Sequence, residues 1–157
     1  HWTAEIVGYS LAVVGALAAF AHGSLIRKII PRLGQVKSIY LGMSFSALGL
    51  LLFGLASESW MMFAFLIPYC LGGIAGPSIQ GVISSQVPAN EQGELQGALT
   101  SLMSLCGVFG PLLMTNLFAF ATAKNSTFHV PGAPFFLASC LTLVSFYLSY
   151  RTLSKKH

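Results

Sequence analysis

Few side chains in this 157-residue chain could take part in chemistry, and their placement narrows what that chemistry is. There is no Asp anywhere in the sequence. His22 is the one ionisable side chain inside an apolar stretch long enough to cross a membrane. A histidine takes and releases a proton near neutral pH, and an ionisable group at membrane depth points to function by default. Two readings of His22 stand side by side: a proton carrier, or a packing residue donating to a backbone carbonyl. Gln80 is the second candidate, in a stretch that also holds Pro68, Gly72, Gly73, Gly76 and Pro77. Each proline there removes a backbone donor and bends a helix. Gln80 could hydrogen-bond a substrate beside that bend, or satisfy the backbone that Pro77 frees.

Other chemistries find no residues. Cys70, Cys106 and Cys140 lie singly in three apolar segments, without the spacing of a metal site or a disulfide framework. No P-loop, HExxH or GxSxG motif occurs, and the missing Asp leaves no Ser-His-Asp triad. The chain reads as a non-enzyme that needs no cofactor and no metal.

The elements that position His22 and Gln80 follow from composition. The chain is 55% hydrophobic and 8% charged, with a mean hydropathy of +0.75. Soluble domains carry about 25% charged residues, so lipid must be the solvent for much of this surface. A net charge of +4 could suggest nucleic acid. The basic residues instead sit in short clusters beside apolar runs, the pattern of membrane topology, and no nucleic-acid partner is expected.

A hydrocarbon core of about 30 Å takes roughly 20 helical residues. The spacing predicts five transmembrane helices, over residues 6–26, 38–56, 60–83, 96–121 and 134–150, in one all-α membrane domain covering 1–157. Arg27, Lys28, Arg32 and Lys37 fall in the first connecting loop and Arg151, Lys155 and Lys156 in the tail, against Lys124 alone on the other side. The positive-inside rule then places the first loop and the C-terminus in the cytoplasm and His1 outside. An outside start on five spans, at a residue other than Met, predicts a piece of a longer protein.

Within these helices, Gly8, Ala12, Gly15 and Ala19 form a small-residue stripe that His22 continues, and Gly72 and Gly76 form a GxxxG pair. Gly107, Gly110 and Pro111 form a weak point where a carrier could hinge. The loop before that helix carries Glu91, Gln92 and Gly93, with Asn90 as its expected cap and Glu91 and Glu94 favoured by the helix dipole. Asn125-Ser126-Thr127 matches a glycosylation sequon, a three-residue pattern that occurs often by chance.

Several segments taken together resemble tetracycline-type drug exporters of the major facilitator superfamily. Trp2 with Val7-Gly8-Tyr9-Ser10-Leu11-Ala12 and Gly15 is similar to the start of that family's helix eight, and Arg32-Leu33-Gly34 with Lys37 to the loop before helix nine. Gly72 to Pro77, Gln80-Gly81 and Ser84 resemble helix ten. Glu91-Gln92-Gly93-Glu94-Leu95-Gln96-Gly97 and Gly107-Val108-Phe109-Gly110-Pro111-Leu112-Leu113 resemble the next loop and helix eleven, and Pro131 to Phe135 the entry to helix twelve. The resemblance implies helices eight to twelve of a twelve-helix carrier in the bacterial inner membrane. It would export small-molecule drugs in exchange for protons, with an N-terminal half as its partner. Some such exporters carry a coupling histidine on helix eight, at a position matching the neighbourhood of Ala18. This sequence departs from that pattern, and the expectation is that His22 contributes a protonatable or polar group one turn displaced. Two other readings stay open: a carrier of the same fold for a sugar or metabolite, and a membrane scaffold of five spans without transport.

Overall fold

The computed structural model describes residues 4–20, 23, 26–123 and 130–153. His22, Trp2, Lys124 and the sequon at Asn125 lie outside the described residues. Seven helices follow one another among those described: α1 (Ala4–Phe20), α2 (Ile26–Leu33), α3 (Gln35–Leu55), α4 (Ser59–Gly72), α5 (Ala75–Ser84), α6 (Gln92–Thr122) and α7 (Ala133–Leu153). Four helical runs there are long and apolar enough to cross a membrane: Gln35–Leu55, Trp60–Ser84, Ala89–Thr122 and Ala133–Leu153. The predicted first span, 6–26, begins in α1 and continues into residues outside the described ones. The architecture is an all-α membrane fold, since backbone groups in hydrocarbon must pair within their own segment.

The predicted loop 27–37 is mostly helix. Ile29 and Ile30 are half-buried while Arg27, Lys28 and Arg32 are exposed, so α2 is a short amphipathic helix that turns these isoleucines inward. Gly34 then redirects the chain into α3 with φ 81°, a left-handed conformation that a side chain would strain. Ser38 seals the junction: its backbone N–H and its hydroxyl both donate to the Gly34 carbonyl, at 3.1 and 2.8 Å.

Helix α3 is the hub, packed against α4, α5 and α7. Its contacts with α4 and α5 are backbone to backbone, which only small residues permit. A Cβ on Gly42 would lie 2.6 Å from the Ala75 nitrogen, and one on Gly49 would lie 2.8 Å from the Tyr69 Cα. From the facing side, a Cβ on Gly72 would meet the Ser46 nitrogen at 2.7 Å. Toward α7, the buried Ser139 hydroxyl donates to the Ala47 carbonyl at 2.9 Å. Aromatic rings close both ends of this pair: Tyr40 against Phe146 and Tyr150, at centroid distances of 5.7 and 5.6 Å, and Phe53 against Phe135 at 5.9 Å. Tyr40 begins α3 and Tyr150 ends α7, so the helices are antiparallel.

The third predicted span is two helices rather than one. Between α4 and α5, Gly73 and Ile74 donate to the Cys70 and Leu71 carbonyls, at 3.1 and 3.4 Å. These three-residue steps tighten the turn. Pro77 has no N–H for the Gly73 carbonyl, which explains why the α-helical ladder stops here. The break also separates the expected GxxxG pair: Gly72 is buried against α3, while Gly76 is exposed with no atom within 4 Å of an added Cβ.

Helix α6, in contrast, runs unbroken through Gly107, Gly110 and Pro111. Its one buried residue is Ala121, and a Cβ on Gly97, Gly107 or Gly110 would meet nothing within 4 Å. Several of its polar side chains satisfy themselves on the preceding turn. Ser104, Thr115 and Asn116 donate to the Thr100, Pro111 and Leu112 carbonyls at 2.9, 2.7 and 2.8 Å. That local bonding lets a hydroxyl or amide sit on an apolar helix.

Candidate substrate-facing site

Two amides on α6 do otherwise and reach across to α5. On α5, Gln80 and Ser84 are four residues apart and so share a face; on α6, Gln92 and Gln96 do the same. The antiparallel hairpin brings these faces together as two rungs. In the first, the Ser84 hydroxyl donates to Gln92 Oε1 at 2.7 Å, while Gln92 Nε2 donates to the Ser84 and Val87 carbonyls, both at 2.8 Å. Every polar group of the Gln92 amide is thereby used, and it holds the connecting turn closed. In the second rung, Gln80 Nε2 donates to Gln96 Oε1 at 3.1 Å.

The second rung is incomplete. One Gln80 N–H, the Gln80 carbonyl oxygen and both Gln96 N–H groups have no partner among the described residues. Both residues are exposed, about one helical turn inside predominantly apolar spans. An unpaired amide turned to lipid costs free energy, so this face suits a polar ligand, water or further protein. With three N–H donors and one carbonyl acceptor, uncharged, it can recognise oxygen-rich neutral or zwitterionic molecules by hydrogen bonding.

Other sequence-derived candidates fall elsewhere. Gln80 bonds Gln96, and no bond from it to the backbone near Pro77 is present. Gly76 and Pro77 are exposed on α5 on the Gln80 side of the break, whereas Gly72 is a packing residue against α3. Gly107, Gly110 and Pro111 lie farther along α6. Asn90 is not the cap of α6: it lies in a short 3₁₀ turn, Ala89–Glu91, and the N-cap position is Glu91, with no side-chain cap bond. Glu91, Gly93 and Glu94 are exposed. Arg27, Lys28 and Arg32 are on α2, apart from the ladder. Gln96 and Ser84 were missed as site residues, although the four-residue spacing on both sides of one short loop is a readable signal.

An open apolar pocket of about 350 Å³ also occurs, lined by Val14, Leu50, Phe53, Met62, Phe63 and Tyr69 among others. Phe53 ends α3 whereas Gln35, at its start, touches Gly81 beside Gln80. The cavity therefore lies toward the opposite end of α3 from the ladder, and it offers almost no polar group.

A hub of close-packed apolar helices, most of them long enough to cross a bilayer, defines a polytopic all-α membrane protein. The chain belongs to the Major Facilitator Superfamily, whose family profile matches residues 1–157. It is 38% identical over 142 residues to the tetracycline resistance protein, class C, of Escherichia coli, covering 90% of this chain and 36% of that protein. It is 40% identical over 118 residues to the class E protein of Escherichia coli, covering 75% of this chain and 29% of that one. A mouse relative, hippocampus abundant transcript-like protein 1, is 29% identical over 156 residues, covering 90% of this chain and 31% of its own length. The chain thus spans about a third of the length of the curated relatives it matches. No solved structure matches it significantly.

Proposed function

We propose that this chain forms part of a proton-coupled exporter of drugs such as tetracycline-like compounds, working by alternating access in the bacterial inner membrane. The observation that carries the reading is the open Gln80–Gln96 rung, an exposed set of hydrogen-bonding groups on predominantly apolar spans. Tetracycline-like molecules present many carbonyl and hydroxyl oxygens, which three amide N–H donors can bind without a full charge. The names of the bacterial relatives, at 34–40% identity, favour this cargo over a sugar or metabolite.

In this reading α1, α5 and α6 line the cavity facing an N-terminal half. The break at Gly73–Ile74 and the Gly107–Pro111 segment accommodate the rocking of that cavity between the two membrane faces. His22 takes the proton that drives the cycle. The first loop and the C-terminus are cytoplasmic, because Arg27, Lys28, Arg32, Lys37 and Arg151 gather at one membrane side.

Drug accumulation tests this. The full-length protein, expressed in a pump-deficient bacterium, lowers tetracycline accumulation, and a protonophore abolishes the difference. Accumulation equal to that of the empty strain, with the protein present in the membrane, would count against export and leave the fold untouched.

A further inference from the structure

The end of the molecule where α3 starts and α7 finishes carries more positive charge than its own residues neutralise. Arg27, Lys28, Arg32, Lys37 and Arg151 are all exposed. None of them forms an ion pair or a hydrogen bond among the described residues. The acidic residues at the same end, Glu91 and Glu94, are exposed as well and pair with none of them.

One of these cations, Lys37, lines a largely apolar recess. A groove of about 610 Å³ opens between the α2–α3 junction and the end of α7, lined by Leu33, Val36, Lys37, Tyr40, Tyr150 and Leu153 among others. Lys37 is part of its wall, Arg32 precedes the lining Leu33, and Arg151 follows the lining Tyr150. Tyr40 and Tyr150 meet as tilted rings with centroids 5.6 Å apart, giving the groove an aromatic wall. Leu153 packs toward the buried Ile39–Met43–Ala75 cluster, which leaves that wall rigid.

We propose that this groove binds an anionic phospholipid of the surrounding membrane, its phosphate held by Lys37 with Arg32 and Arg151, and an acyl chain laid along Tyr40 and Leu153. Charge complementarity selects the occupant. Unpaired cations at the headgroup level of a membrane protein attract acidic lipid, and Lys and Arg keep their stems on apolar surface while the charged heads reach the phosphate. Helix α2 supports the same contact, with Ile29 and Ile30 turned inward and its cations outward, as an interfacial amphipathic helix lies. A zwitterionic headgroup lacks the net charge, and inorganic phosphate lacks the chain that fills the groove.

Native mass spectrometry of the full-length carrier, purified in neutral detergent, tests this with three probes: phosphatidylglycerol, phosphatidylcholine and inorganic phosphate. Phosphatidylglycerol is retained in clear preference to phosphatidylcholine, and phosphate does not displace it. Lys37→Gln with Arg151→Gln lowers phosphatidylglycerol retention on the order of twentyfold, about fivefold per cation, while Lys37→Arg, which keeps the charge, preserves it. Val36→Trp fills the groove without changing any charge and lowers retention too, so the test survives if the double variant fails to fold. Equal retention of the two lipids would overturn the proposal, as would displacement by phosphate, which marks a soluble-anion site. So would a double variant that loses transport yet retains phosphatidylglycerol at the wild-type level, because its cations would then be pairing with carboxylates elsewhere in the protein.

Discussion

Gln80 donates to Gln96 across the α5–α6 hairpin at 3.1 Å, and this rung, unlike its neighbour, leaves most of its hydrogen-bonding groups unused. The contrast with Gln92, whose amide is fully engaged on Ser84 and Val87, separates two kinds of residue on one short stretch of helix. One binds the hairpin together. The other is available to a ligand.

Substitution separates them experimentally. Gln80→Ala or Gln96→Ala removes donors to the drug while leaving the hairpin turn intact. Each weakens apparent drug affinity in transport assays, with one lost hydrogen bond costing about 0.5–1.5 kcal/mol. Gln92→Ala instead removes the amide's bonds to the Ser84 hydroxyl and to the Ser84 and Val87 carbonyls and lowers thermal stability, read as detergent-solubilised Tm, before it touches affinity.

Glycines divide in the same manner. Gly42→Ala and Gly49→Ala force a methyl into the backbone of α5 or α4, and each destabilises by about 1–3 kcal/mol. Gly107→Ala and Gly110→Ala meet no atom within 4 Å and leave folded yield unchanged. If the Gly107–Pro111 segment flexes during transport, these two variants lower turnover at unchanged expression, which a parallel efflux and immunoblot assay reads directly.

The Ser139 hydroxyl is the buried tie between α7 and α3. Ser139→Ala costs about 0.6 kcal/mol, the average for an interhelical hydrogen bond in a membrane protein. Chemical denaturation in mixed micelles measures it. The small size is itself informative, since the aromatic contacts at Tyr40 and Phe53 continue to hold the pair.

His22→Gln keeps a hydrogen-bonding side chain and removes the proton site. The variant loses accumulation of drug against a gradient while still exchanging drug down its gradient, as a carrier uncoupled from protons does. Full proton-driven transport by His22→Gln would assign that histidine to packing.

Much of the architecture was legible because lipid imposes strict rules. An apolar run of about 20 residues has few alternatives to a helix, and Pro68 and Pro77 with their glycines marked a disturbed span. The disturbance proved to be a break at Gly73–Ile74, since three-residue hydrogen bonding there is a local choice that hydropathy does not encode. Helix α2 was hidden for a different reason. Its eight residues are half basic or proline and read as a loop, until Ile29 and Ile30 find a surface to bury against.

Contacts between helices were the least readable. Gly8 and Gly15 of the α1 stripe, and Gly107 and Gly110 on α6, are open among the described residues, while Gly42 and Gly49 on α3 pack against neighbouring backbone. Spacing along one helix shows that it could be approached closely, not which neighbour approaches it. Gln80 stood out as a polar residue, but its pairing with Gln96 depends on the register that Gln92 imposes on the intervening turn. That register emerges only when both helices are in place.

Proton movement coupled to the drug is the most direct test of the central claim. In everted membrane vesicles holding the full-length protein and an established acid interior, added tetracycline should release protons and restore the fluorescence of a pH-gradient dye, and Gln80→Ala with Gln96→Ala should blunt that response. A gradient that stays intact on adding tetracycline, in vesicles shown to contain the folded protein, would contradict proton-coupled export.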